Sequence, residues 1–156
     1  MPTQIADAMK ERGLSCEAVP STVDDGSLQA ELRRTLTYRV SHKMVATRAG
    51  LGWIGKTDLL VSRRFGPRVR LASILTSEPL ETGVPMDSSQ CHHCRLCVDA
   101  CPAQAATGAA WTAGVTRDVF FNAFACRDYC RKISQEKLGK VISLCGKCVS
   151  LCPIGH

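Results

Sequence analysis

Cysteine spacing constrains this chain more than any other feature. Four cysteines fall within "CHHCRLCVDACP", and part of that run recurs: Cys94-x2-Cys97-x3-Cys101-Pro102 returns as Cys145-x2-Cys148-x3-Cys152-Pro153. Ten cysteines lie in 156 residues. The opening "MPTQIADAMKERG" is charged and amphipathic and lacks the central apolar run of a secretory signal, so a cytoplasmic, reducing location is expected. In such a compartment clustered thiols bind metal more often than they pair as disulfides. No apolar run reaches the roughly 18–20 residues that span a bilayer, so no membrane partner is expected.

The spacing sorts the candidate chemistries. A c-type haem site needs Cys-x-x-Cys-His, but Arg95 follows Cys94. Zinc sites use paired Cys-x2-Cys units and give no reason for a third cysteine at the same interval. The run Cys91-x2-Cys94-x2-Cys97-x3-Cys101-Pro102 has the bacterial ferredoxin arrangement. There, three thiols wrap one face of a [4Fe–4S] cube, and the fourth, a helical turn further on, points to a second cube. The repeat supplies the reciprocal ligands. One cluster takes Cys91, Cys94, Cys97 and the distant Cys152. The other takes Cys101, Cys145, Cys148 and one thiol from the intervening segment, where Cys126 and Cys130 compete.

Cys16 reads as a buried structural thiol. His92 and His93 read as solvent-facing residues, with tuning of a cluster as the alternative. A [4Fe–4S] core with four thiolates carries about −2, so two of them reduce the formal +6 to about +2. The remaining basic residues are scattered, which argues against a nucleic-acid partner.

Aromatics are only 5% of the chain, so a core must rest on aliphatic and alanine packing. Residues 3–12 have helical spacing closed by Gly13, and "LSCEAV" alternates as a strand. Ser27 is placed to cap a helix over "LQAELRRTL", and Ser41 to cap one over "HKMVATRA". "DLLVS" and "RVRLASILT" read as strands joined by the turn "RRFGP", and "TRDVFFNAFACRDYCRKISQEKLG" reads as helical. The fold class is therefore α+β: a small α/β layer followed by a bacterial-ferredoxin-like double [4Fe–4S] module. The polar stretch near residues 78–90 divides a domain over 1–80 from a cluster domain over 81–156. So few strands leave a sheet that a second copy or a partner chain would complete.

"GLGWIGKT" fits two nucleotide-binding patterns literally. Both need a strand before the glycines and a helix after them. Here a helical segment precedes and a strand-like one follows, so the glycines read as a place where backbone passes close to another element or ligand.

The blocks "RAGLGWIGKTDLLV", "GPRVRLASILTSEPL", "CHHCRLCVDACP" and "CGKCVSLCP" resemble those of epoxyqueuosine reductases and the shorter double 4Fe–4S cluster proteins grouped with them, relatives of the reductive dehalogenases. The resemblance runs from about Met44 to Pro153. It implies two [4Fe–4S] clusters beside a cobalamin, with Gly50, Gly52, Trp53 and Gly55 on the cobalamin side. It also implies Cys126 as the last cluster ligand, since Tyr129 then falls where the family has tyrosine. The family's N-terminal domain is curtailed here. Counting back without gaps puts Leu36 at the position of its catalytic acid, with Asp24 and Asp25 nearby if gaps are allowed. The function expected is an electron-transfer module between a ferredoxin- or flavodoxin-type donor and a reductase-type acceptor. The alternatives are a cobalamin-dependent reductase of the epoxyqueuosine type and a purely structural use of the metal.

Overall fold

The computed structural model describes residues 2–21 and 34–155. Ser27, Asp24, Asp25 and most of the helix expected over "LQAELRRTL" lie outside them. Helix α1 (Pro2–Glu11) and strand β1 (Cys16–Val19) stand where the spacing places them. Ala6 is the buried residue of α1, and the Cys16 Sγ donates to its carbonyl at 3.2 Å, giving that thiol a structural role. Helix α2 (His42–Arg48) starts at Ser41, whose hydroxyl accepts from the Met44 N–H at 3.4 Å.

After the turn at Gly50 the chain forms strand β2 (Gly52–Ile54), which the sequence reading left within the glycine-rich connection. It pairs antiparallel with β3 (Leu60–Ser62), Trp53 opposite Val61. Strand β4 (Ser73–Thr76) pairs antiparallel with β1, Cys16 opposite Thr76. Two corrections follow. The two strands flanking "RRFGP" do not pair with each other, and the second begins only at Ser73. The cause is Arg68, whose guanidinium donates to the carbonyls of Ile154 (2.9 Å) and Cys152 (3.0 Å) and draws residues 68–72 towards the C-terminal cysteine motif.

The described residues thus hold two sheets of two strands each. Ribbons this small are marginal alone, and the shared core supports them. Ala46, Trp53, Ile54, Leu60 and Val61 pack in one cluster with Val98, Ala105, Trp111, Phe120 and Phe121. Residues 78–90 therefore mark a change of composition across which the core is continuous. The connection is itself stitched down: Met86 N–H donates to the Thr47 carbonyl (2.9 Å), and Arg48 reaches Met86 O and Asp87 Oδ1, both at 2.6 Å.

Beyond it come helix α3 (Leu96–Asp99), a 3-10 turn (Arg117–Val119), helix α4 (Ala123–Leu138) and helix α5 (Lys147–Ser150). The helix expected from residue 116 begins only at 123, because Phe120 and Phe121 turn into the core and Asn122 caps α4 by accepting from the Ala125 N–H at 3.0 Å. Gly139, in the left-handed region at φ 64°, ends it. No helix among the described residues is long and apolar enough to cross a membrane.

Candidate iron–sulfur centre

The first cysteine loop is a sequence of tight turns. His92 lies in the left-handed region (φ 42°), and the Cys94 N–H closes back on the Cys91 carbonyl at 3.0 Å. Helix α3 then carries Cys97 and turns Val98 into the core. The imidazoles of His92 and His93 are on exposed residues. The second motif repeats the device: Gly146 at φ 78° starts α5, which carries Cys148. The two short helices, α3 and α5, pack on each other.

This packing brings the distant cysteines together. Cys91, Cys94, Cys97, Cys148 and Cys152 line one cavity. On the other side, Cys126 interacts electrostatically with Cys130, Cys101 and Cys145. Cys126 and Cys130 lie one turn apart on α4, and both thiols are within electrostatic reach of Cys101 and Cys145. Cys145 reaches that group because the chain folds back after α4: Ser134 Oγ donates to Ile142 O (2.8 Å) and accepts from the Ile142 N–H (3.0 Å).

Burial pushes all four resolved thiols up, that of Cys126 to about 12, with neighbouring thiolates adding to the rise. Against it, the polar side chain of Thr57, beside Cys97 and Cys148, draws both thiols part of the way back down. Metal capture requires thiolates, so loading this site releases protons. Raising the pH removes the competing protons and favours capture. Reconstitution with ferrous iron and sulfide should accordingly yield more cluster at about pH 8 than at about pH 6.5, followed by visible absorbance. A yield flat in pH would contradict these raised thiol values.

The glycine-rich segment belongs to this site. Residues 52–62 form a hairpin whose tip closes with the Gly55 N–H on Leu59 O (2.8 Å) and the Asp58 N–H on Gly55 O (3.0 Å). Lys43 holds the tip through Asp58 O (2.7 Å) and Asp58 Oδ2 (2.5 Å). The tip lies against the cysteine loop: Trp53 Nε1 donates to Cys91 Sγ at 3.4 Å, and Lys56 Nζ donates to His92 O (2.8 Å) and Cys94 O (2.9 Å). Of the four residues expected on a cobalamin side, Trp53 and Gly55 border the cysteine cavity. Gly50 and Gly52 serve close backbone approach. A Cβ on Gly50, at φ 72°, would meet Val84 O at 2.5 Å, and one on Gly52 would fall on Val61 O. The helix precedes these glycines and the strand follows, which is the reverse of a phosphate-binding loop.

The donor set fits thiolate-bound clusters. Among the described residues no three His, Cys, Asp or Glu side chains converge on a site for a single ion. Five of the thiols instead line one shared cavity, an arrangement suited to a group that several thiolates hold together. Lys56, 5% exposed, sits in the wall of that cavity, and among the described residues no carboxylate pairs with it. A buried cation needs compensation, and an anionic cluster in the cavity supplies it.

Residues 90–155 match the family described as the 4Fe–4S double cluster binding domain. The chain is thus a double-cluster iron–sulfur protein. It is 35% identical over 116 residues to the epoxyqueuosine reductase of Lactococcus garvieae, covering 70% of this chain and 30% of that one. Against the enzyme of Pseudomonas aeruginosa it is 41% identical over 69 residues, covering 44% and 19%. A crystal structure of a selenomethionine-labelled epoxyqueuosine reductase superposes on 98% of this chain and 36% of its own, at TM-score 0.65 and 23% identity. Another, from Streptococcus thermophilus, gives TM-score 0.61 at 25% identity, covering 98% and 37%. Residues 90–155 thus carry a double 4Fe–4S cluster binding domain, and the chain resembles epoxyqueuosine reductases while spanning about a third or less of the length of these relatives. One similar structure holds an epoxyqueuosine-modified tRNA stem loop. The scattered charge therefore does not decide against nucleic acid within this family.

A second cavity, of about 540 Å³, opens between the segment around Leu36 and residues 111–120. Leu36 lines it, with His42 and Lys43 of α2 and with Arg117, which donates to Leu36 O at 2.9 Å and Thr35 O at 2.6 Å. Sequence reasoning singled out none of the last three for a site. The signal available was their polar character beside an apolar core.

Proposed function

We propose that this chain is an electron-transfer module. It accepts single electrons from a reduced ferredoxin- or flavodoxin-type donor and passes them to a reductase-type acceptor. Bound [4Fe–4S] clusters supply two one-electron carriers, held by Cys91, Cys94, Cys97 and Cys152 and by Cys101, Cys126, Cys145 and Cys148. The observation that carries this reading is the shared cavity: Cys91, Cys94, Cys97 and Cys152 of one set line it together with Cys148 of the other, where α3 packs on α5. Two cages that share a cavity wall are neighbours, which suits direct exchange. Cys145 lies in an exposed stretch with Lys140 and Lys147, which suits the approach of an acidic donor.

Anaerobically purified protein should be brown and hold about eight iron atoms per chain. Stoichiometric zinc without iron would overturn the reading.

A second reading, a cobalamin-dependent reductase, is favoured by the larger cavity, which Leu36 lines at the position corresponding to the family's catalytic acid. Leucine has no proton to give, so such chemistry would need an acid from elsewhere. Stoichiometric cobalamin binding, with altered cobalt absorption, distinguishes this reading from a simple relay. Recognition of tRNA, seen in a similar structure, would come with it.

A further inference from the structure

Two cations, Lys56 at the hairpin tip and Arg68 in the segment that follows the hairpin, grip the two cysteine motifs at their backbones. Lys56 holds the carbonyls of His92 and Cys94. Arg68 holds those of Cys152, Ile154 and Ser150, the last at 3.3 Å. The Lys56 contacts fall on the first cysteine loop, and those of Arg68 on the segment from α5, which carries Cys148, to Ile154. Cys91 Sγ accepts from the Trp53 N–H at 3.4 Å, and in the second group Cys101 Sγ accepts from the Ala105 N–H at the same distance. The difference between the two loops lies in the buried cation of Lys56.

Reduction potential follows the net charge around a cluster, hydrogen bonds to its sulfurs and its exposure to solvent. A buried positive charge stabilises the more negative, reduced state, and low local dielectric strengthens the effect. We infer that Lys56, seconded by Arg68, positions the first cysteine loop and raises the potential of its centre above that of the neighbouring one. An electron arriving on the second centre is then drawn to the first. The "GKT" of the glycine-rich motif acquires a purpose unrelated to phosphate: Gly55 admits the tip, Lys56 sets the charge and Thr57 lines the cavity that Cys97 and Cys148 share.

This inference rests on the two-cluster reading, and the experiment separates the two. Wild-type, K56M and K56R proteins are prepared anaerobically, assayed for iron and titrated redox-potentiometrically with electron paramagnetic resonance detection. The wild type should show two one-electron midpoints. K56M keeps the length but removes the charge and both donors, so the higher midpoint should fall at least tenfold in electron affinity, about 59 mV for a one-electron couple. The lower midpoint should stay. K56R, which keeps charge and N–H donors, should recover most of the shift. If K56M instead loses about four irons, the positioning role stands, and R68Q then tests the potential with the same downward shift expected. Unmoved midpoints in K56M, or a shift confined to the lower one, overturn the inference and leave the two-cluster reading intact. A wild-type protein without iron sinks that reading itself.

Discussion

Cys126→Ser should halve the iron of anaerobically purified protein, from about eight atoms to about four, whereas Cys130→Ser should leave it near eight. A serine oxygen is a poor substitute for a thiolate towards iron–sulfur cores, so loss of the true fourth ligand removes one cage. The structure sharpens why this pair is the decisive one. Both thiols lie on the same face of α4 one turn apart and in electrostatic reach of Cys101 and Cys145. Cys130 is 4% exposed and Cys126 half-buried, so the two differ in burial while sharing the same thiol neighbours. If Cys130→Ser loses the cluster and Cys126→Ser keeps it, the assignment is reversed. If both keep eight irons, the second cage is built from other residues.

Trp111→Ala should destabilise the cluster-loaded protein by about 3–5 kcal/mol, the range for deleting a large aromatic from a core. Against a total stability of about 5–15 kcal/mol this approaches unfolding. Trp111 is 2% exposed and packs in the cluster that holds Ile54 and Val61 from one side of residues 78–90 and Phe120 from the other. Its carbonyl also accepts from the Ser89 N–H at 2.9 Å. Denaturation in urea, followed anaerobically by far-ultraviolet circular dichroism and by cluster absorbance, should show one transition moved to lower urea by both probes. Two transitions, of which only the C-terminal one moves, would mean that the halves fold independently.

The elements visible in the sequence were those specified by neighbours along the chain. Ser41 and Gly13 announce helix ends through capping chemistry, and the cysteine spacing announces two cages because turn geometry alone fixes it. What escaped depends on contacts far away in sequence. Strand β2 is three residues long and gains its hydrogen bonds only from β3 across a hairpin. The pairing of β1 with β4 joins residues 16–19 to 73–76, which no local pattern encodes. The grip of Lys56 and Arg68 on the cysteine motifs was equally hidden, since a basic residue in a glycine-rich stretch reads first as a solvated charge. Asn122 could have been recognised as a cap, and it was masked by the apolar run "VFFNAFA" around it.

Cys152 lines the cavity of the first cysteine loop, although it belongs to the second motif. Under the proposed pairing, a chain emerging from the ribosome presents Cys91, Cys94 and Cys97 well before the thiol that closes their cage. Cys101 likewise waits for Cys145 and Cys148. Neither centre can be finished before the second motif has left the ribosome, so iron and sulfide must be inserted once that motif is free and both loops have come together. Until then the early thiols stand open to oxidation and to stray metals, and delivery of the cofactor becomes a step that the cell has to time.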